Sequence, residues 1–225
     1  MATGEGGSVK ERPILFSGAM VRAILDGRKT QTRRAIKVQP PAATTSVRVF
    51  HHPDPRPHFW ANDGASLLDW AKACPYGDVG DHLWVRETWQ HSNDPFGPYE
   101  PNCMVFHRAD YLDDPLGPDL EHSADGIRRQ WRPSIHMPRS ACRLVLEVTG
   151  VRVERLQEIS DDDADAECFG GDYPENALPD LFPRRNGGWG HLSMPECFAR
   201  LWESVNGAGS WDANPWVWVV EFRKV

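Results

Sequence analysis

The sequence lacks any closely spaced cysteine pair. Its five cysteines, Cys74, Cys103, Cys142, Cys168 and Cys197, are odd in number and widely scattered, which excludes a regular disulfide framework and a CxxC zinc knuckle. The nearest histidines, His51, His52 and His58, sit in a proline-rich stretch without metal-ligand spacing, so no metal and no cofactor is expected. Long apolar runs are missing too. The longest, Trp216 to Val220, is far too short to span a bilayer, and MATGEGGSVK at the N-terminus has no apolar core of a signal peptide. A cytoplasmic protein without a membrane partner is the expectation. No internal repeat is visible, and the net charge of −7 argues against a protein that coats nucleic acid through bulk electrostatics.

What is present is uneven. Residues 1–48 carry nine Lys or Arg against three Asp or Glu, whereas residues 158–180 carry nine carboxylates and no Lys or Arg. One basic and one acidic segment on an acidic chain can build a local anion site, the alternative for each being a solvated charged face. Ten tryptophans suit stacking surfaces on a β scaffold, although most are expected in the core. A length of 225 residues with 40% hydrophobic content fits one globular domain with insertions.

Local patterns predict the elements. Residues 1–10 read as a flexible tail before a single domain over 11–225. Ser17 caps a helix with Met20, Val21, Ile24 and Leu25 on one face, and Gly27 stops it. A strand is expected over 30–38, whose opening residues are polar on both faces. Residues 39–80 read as a long excursion with a helical turn near 66–73. Asp81 to Trp89 alternates as a strand, with Glu87 among apolar neighbours. A second excursion covers 90–130, broken by a short strand at 104–108. Strand character returns over 143–156. Ser160 and Asp163 form a helix cap, with Ile159 stapled onto Ala164, and the aspartates suit the positive end of the helix dipole. A Gly/Pro-rich insertion fills 170–190. Ser193, Pro195 and Glu196 open an amphipathic helix whose stripe is Phe198, Leu201, Trp202 and Val205. A closing strand over 216–223 puts Trp216, Trp218, Val220 and Phe222 on one face. The class is α+β.

The chemistry-bearing stretch is Gly27-Arg28-Lys29-Thr30-Gln31-Thr32-Arg33-Arg34, where a helix stop delivers four cations and two hydroxyls into the start of a strand. Crowded like charge and partial burial would both depress a lysine pKa, making Lys29 a candidate base; an exposed cationic turn is the alternative. Trp84, Arg86 and Trp89 offer flat faces for stacking a nucleobase, or serve strand packing. Glu87 is a candidate carboxylate or an arginine partner. His136, between Pro133 and Pro138, is a candidate acid, base or substrate contact.

The pattern Gly27, Lys29, Arg34 after a short helix, followed by the strand Gly80-Asp81-His82-Leu83-Trp84-Val85-Arg86-Glu87 and a closing Val219-Val220-Glu221-Phe222, resembles the ASCH-domain superfamily, in particular its larger phage and prophage members. The resemblance implies a PUA-like fold: a small mixed β-barrel with flanking helices, here with long loop insertions, and a cleft for RNA or a modified nucleoside. The run GRKTxT is similar to that of bacterial N4-acetylcytidine amidohydrolases, which implies a catalytic group of Lys29, Thr32 and, from the Leu-x-x-Ile-Ser helix opening, Glu167. In those roles Lys29 would take the proton of Thr32, Thr32 would attack the acyl carbonyl, and Glu167 would orient the lysine or carry a proton to the leaving nitrogen. An equal alternative has Thr32 holding the base edge while Glu87 or Glu167 activates water. Arg34 would serve the oxyanion or a phosphate. The implied partner is a modified nucleoside or single-stranded nucleic acid. The competing functions are a non-catalytic RNA- or DNA-binding module and a ribonuclease.

Overall fold

The computed structural model describes residues 9–51, 57–94, 97–112, 131–169 and 192–225. Its centre is a five-stranded sheet in the order β1 (Glu11–Leu15), β6 (His82–Arg86), β9 (Val145–Arg155), β10 (Trp216–Lys224) and β2 (Gln31–Ala35). β1 runs parallel to β6, and the other pairs are antiparallel. The strand β10 earns its central place by sequence: Trp216, Trp218, Val220 and Phe222 face one core, while Val217 and Val219 face a second. A strand buried on both sides needs this continuous apolar run.

The first core lies under α1 (Gly18–Leu25), which contributes Val21 and Ile24. Ser17 accepts from the Met20 amide at its N-terminus, and Gly27, with φ of 77°, supplies the left-handed turn that stops it. The second core is covered by α2 (Asp161–Ala164), which widens into a π-helical turn over Asp165–Phe169, and by α3 (Met194–Asn206). Ser160 and Ser193 cap these helices as their sequences predict, Ser193 within a full capping box with Glu196.

A three-stranded antiparallel sheet, β3 (Ser46–His51), β4 (Pro57–Asn62) and β5 (Leu67–Lys72), occupies the stretch expected to be an irregular excursion. The helical turn expected at 66–73 is β5 instead. Its backbone pairs with β4, and Trp70 turns inward, its indole donating to the Val38 carbonyl at 2.9 Å. Phe59 meets Trp218 edge-on at 4.9 Å and seals this sheet onto the first core. The strand expected over 81–89 is interrupted at Glu87 and Thr88; beyond them β7 (Trp89–His91) pairs with β8 (Val105–His107).

The class is α+β, as expected, and the described strands form open sheets, with no closed barrel found among them. The five-stranded sheet is nonetheless strongly curled. Flat strands about 4.8 Å apart would hold its edges about 19 Å from each other, yet Arg34 on edge strand β2 donates to the carbonyl of Leu15 on edge strand β1 at 2.7 Å. One side chain latches the two edges.

Among the described residues no helix is long and apolar enough to cross a membrane. Residues 1–8 of the tail expected over 1–10, His52, all of 113–130 and the 170–190 insertion lie outside the described residues.

Candidate functional site

The sheet latch lies beside the chemistry-bearing stretch. β2 begins only at Gln31, so Lys29 precedes the pleat and its direction is set by α1, where its amide donates to the Ala23 carbonyl at 3.0 Å. The next residue is fixed from both sides. The Thr30 amide donates to Ala166 in the π turn, and its carbonyl accepts from Phe222 in β10. This clamp carries the Lys29 side chain inward to the π turn, where it is only 2% exposed.

There its ammonium donates to the Gln31 carbonyl at 2.8 Å, to the Glu167 carbonyl, and to Glu167 Oε2 at 3.0 Å. These three acceptors match the three N–H bonds of a lysine cation, and none of them is Thr32. The ring of Phe16 lies 5.6 Å from the ammonium and 5.2 Å from the Arg34 guanidinium, a shared apolar face for both cations.

Glu167, 3% exposed, is held on both oxygens, for Oε1 accepts from Arg33 at 3.2 Å. Arg33 is fully buried and also pairs with Glu154 and with Asp163, the latter at 2.9 Å. Arg152 extends the network to Asp163 at 2.8 Å, to Glu154 at 3.0 Å and to Glu221. Gln31 donates to the Asp163 carboxylate at 2.9 Å. Burial pushes the Asp163 carboxyl up, but the Gln31 hydrogen bond and the charges of Arg33 and Arg152 outweigh it and hold it below the usual aspartate range. The network ties β2, β9, β10 and α2 together around Glu167. Burying so many ions is tolerable only because each one is paired and hydrogen-bonded.

Thr32 and Arg34 lie on the opposite face of β2 from Arg33. A cleft of about 50 Å³ opens along edge strand β2 between α1 and α3, with Thr32, Arg33, Arg34 and Glu167 in its wall and Met20, Phe198, Leu201 and Trp202 as its apolar sides. Val205, expected in the buried stripe of α3, is 58% exposed at this cleft. Burial lowers the Arg34 pKa from its ordinary value, partly opposed by Tyr76 and Glu167. A second groove, about 340 Å³, is bounded by Thr30, Gln31, Thr149, Asp162, Asp163 and Glu221.

The structure therefore brings Lys29, Thr32, Arg34 and Glu167 into one neighbourhood, with Lys29 bonded to Glu167 and not to Thr32. It does not bring the other candidates there. Trp84 stacks under Arg86 at 5.4 Å on the outer face of β6. Glu87 is buried, and Arg143 chelates it at 2.9 and 3.1 Å while also holding Asp110 at 2.8 and 2.7 Å. Trp89 packs edge-on to Tyr99 at 5.1 Å in a small core with Met137 and Ala141. His136 is exposed on a short 3-10 turn. Sequence reasoning missed Arg33 as a clamp of Glu167, and Asp163 as a partner that holds Arg33. The only local signal for Arg33 was a polar residue on the strand face that the acidic helix covers. Trp202, expected in the core, lies in the second core and also borders the cleft.

No family model, no curated protein and no solved structure matches this chain.

Proposed function

We propose that the chain is an ASCH-type protein with a PUA-like barrel, and that its cleft removes the acyl group from N4-acetylcytidine or a related N-acylated base. The observation that carries this reading is the meeting of Lys29 and Glu167 at 3.0 Å beside Thr32, since these are the residues that the resemblance groups. The cleft has apolar sides of Met20, Phe198 and Leu201. The acyl end enters it and the base stays at the mouth. Water adds to the acyl carbonyl directly, or Thr32 adds first and water then hydrolyses the resulting acyl ester to free the acid and Thr32; Glu167 receives the proton of the nucleophile and returns it to the departing exocyclic nitrogen, and Arg34 faces the oxyanion. Lys29, with its N–H bonds all spent, acts in this scheme by holding Glu167 and its backbone in place.

The test is conversion of N4-acetylcytidine to cytidine by the purified protein, read by mass. Glu167→Gln and Thr32→Val should each cost about 10²-fold or more. Undiminished turnover by both retires the mechanism.

One observation favours a second reading, a non-catalytic nucleobase-binding module. The Lys29 ammonium is saturated, and the 340 Å³ groove is of a size usual for small ligands. Its carboxylates would accept from the amino edge of a base. Binding of nucleosides without any product, weakened by Asp162→Asn or Glu221→Gln, identifies this case.

A further inference from the structure

The three-stranded sheet ends on β3, whose outer edge pairs with no strand and takes part in no backbone hydrogen bond among the described residues. Soluble proteins blunt such an edge with Lys, Pro, a bulge or a covering element, because bare N–H and C=O groups template pairing with another chain. Other edges of this protein show those devices. Arg34 ties edge strand β2 to edge strand β1, and β5 carries Asp69 and Lys72 and meets β4 through a register shift. β3 has neither Pro nor Lys, and its register along β4 is unbroken. Val49 is 47% exposed and Phe50 41%, and Arg48 beside them is exposed as well.

Pairing with β4 fixes the side that each residue faces. Val49 lies opposite Phe59, whose ring is buried in the first core, so Val49 sits on the inner face; Arg48 opposite Trp60 and Phe50 opposite His58 sit on the outer one. The edge is thus apolar on both faces and carries one cation. Two copies of β3 can pair antiparallel about a two-fold axis through the sheet, which keeps inner face with inner and outer with outer, so facing residues have numbers of the same parity. Register decides the rest. Centring on Arg48 sets two guanidiniums opposite each other, a destabilising contact. Centring on Phe50 leaves only residues 49–51 paired. Centring on Val49 pairs residues 47–51 and sets Val49 against Val49 of the second copy. It also places Arg48 between its own Trp60 and Phe50 of the second copy, so that a cation meets aromatic rings from both sides.

We propose that β3 is the interface of a two-fold homodimer centred on Val49, in which the three-stranded sheets of two chains continue into one. The edge complements itself in backbone, in apolar surface and in its cation–aromatic pairs, and the proposal does not rest on the amidohydrolase reading. A strand of 6 residues makes a small interface, and small interfaces associate weakly, so a dissociation constant on the order of 10 μM is expected.

The experiment is analytical ultracentrifugation of the full chain from about 1 to about 500 μM, where a reversible monomer–dimer equilibrium should appear. Val49→Lys brings two ammoniums face to face and should weaken the dimer by about tenfold or more. Because Val49 is exposed in the monomer, the melting temperature of the dilute variant should hold. Val49→Glu alone should act in the same way, while an equimolar mixture of the Val49→Lys and Val49→Glu proteins should dimerise at least as tightly as the native chain. Such rescue reads the contact of position 49 with itself, which misfolding does not imitate. A chain that stays monomeric at about 500 μM, a dimer that Val49→Lys leaves intact, or a mixture that fails to recover overturns the proposal. Oligouridylate that binds a purely monomeric chain, and is released by Phe50→Ala, overturns it too and gives the outer face to single-stranded nucleic acid stacked on Phe50 and Trp60.

Discussion

Lys29 and Glu167 lie 138 positions apart and meet through both the side chain and the backbone of the glutamate: the ammonium binds Oε2 at 3.0 Å and also the Glu167 carbonyl. The lysine thus fixes the carboxylate and the π turn that carries it. The pair is almost fully buried, where neither ion is tolerable alone.

Removing one partner should therefore be costly. Glu167→Gln leaves Lys29 without its one side-chain counter-ion among the described residues and should destabilise the fold by roughly 3–5 kcal/mol. Lys29→Met combined with Glu167→Gln should lose clearly less than the sum of the two single changes, because no orphan charge remains. Urea unfolding of the four proteins measures this coupling. Additivity within about 0.5 kcal/mol would show that the two residues do not depend on each other.

Acid should loosen the network in a defined window. Asp163 has a folded pKa below its ordinary value, so its stabilisation is complete above about pH 4, the unfolded value, and is lost as pH falls through the folded value. Urea midpoints taken from neutral pH to about pH 3 should fall less steeply for Asp163→Asn than for the native chain. Equal slopes would count against the assignment.

His107 acts at milder pH. Burial lowers its pKa most, opposed by the Glu87 charge, and the net direction is down; its ring lies 3.2 Å from the Ala141 carbonyl. The unfolded chain takes up a proton near pH 6.5 while the folded ring stays neutral, so this contribution is full above about 6.5 and fades as pH falls toward the folded value. His107→Gln should flatten the stability profile between about pH 7 and 5, and an NMR titration of the ring should give a midpoint below the free-histidine value.

Thiol reactivity should follow burial. Desolvation pushes the Cys74 thiol up to about 12 and raises that of Cys142 as well, and thiolate is the reactive form. With an alkylating agent at about pH 8, mapped by mass, Cys103 should label well before Cys74 in the native protein, and the difference should vanish in urea. Fast native labelling of Cys74 would mean that its sheet opens readily.

Phe59→Ala should cost about 3–5 kcal/mol, because this ring joins the three-stranded sheet to Trp218. Faster amide exchange throughout β3 to β5 should accompany the loss, with β9 and β10 less affected.

The helices and β10 were readable because their signals are local. Ser17, Ser193 with Glu196, and the apolar alternation after Trp216 each act within a few residues. The segment 39–80 was not, since prolines and polar side chains mask three short strands whose pairing depends on partners some distance along the chain. For the site, Lys29 and Thr32 stand in one short motif, and the helix opening at Ile159-Ser160 brought Glu167 into view. The clamp by Arg33 remained hidden because it joins carboxylates from β9 and the α2 region, and no spacing rule spans such a distance. The two backbone carbonyls that accept from Lys29 stayed hidden too, because backbone acceptors are invisible in side-chain patterns.

The widened turn over Asp165–Phe169 makes the winding of one short segment a determinant of the whole polar centre. Single-turn π segments contain what amounts to one inserted residue. Excising one codon there, such as that for Asp165, would let ordinary α winding resume, and each following side chain would swing by about 100° around the axis. A chain shortened in this way would keep Lys29, Arg33, Asp163 and Glu167 and still lose the meeting of residues 29 and 167.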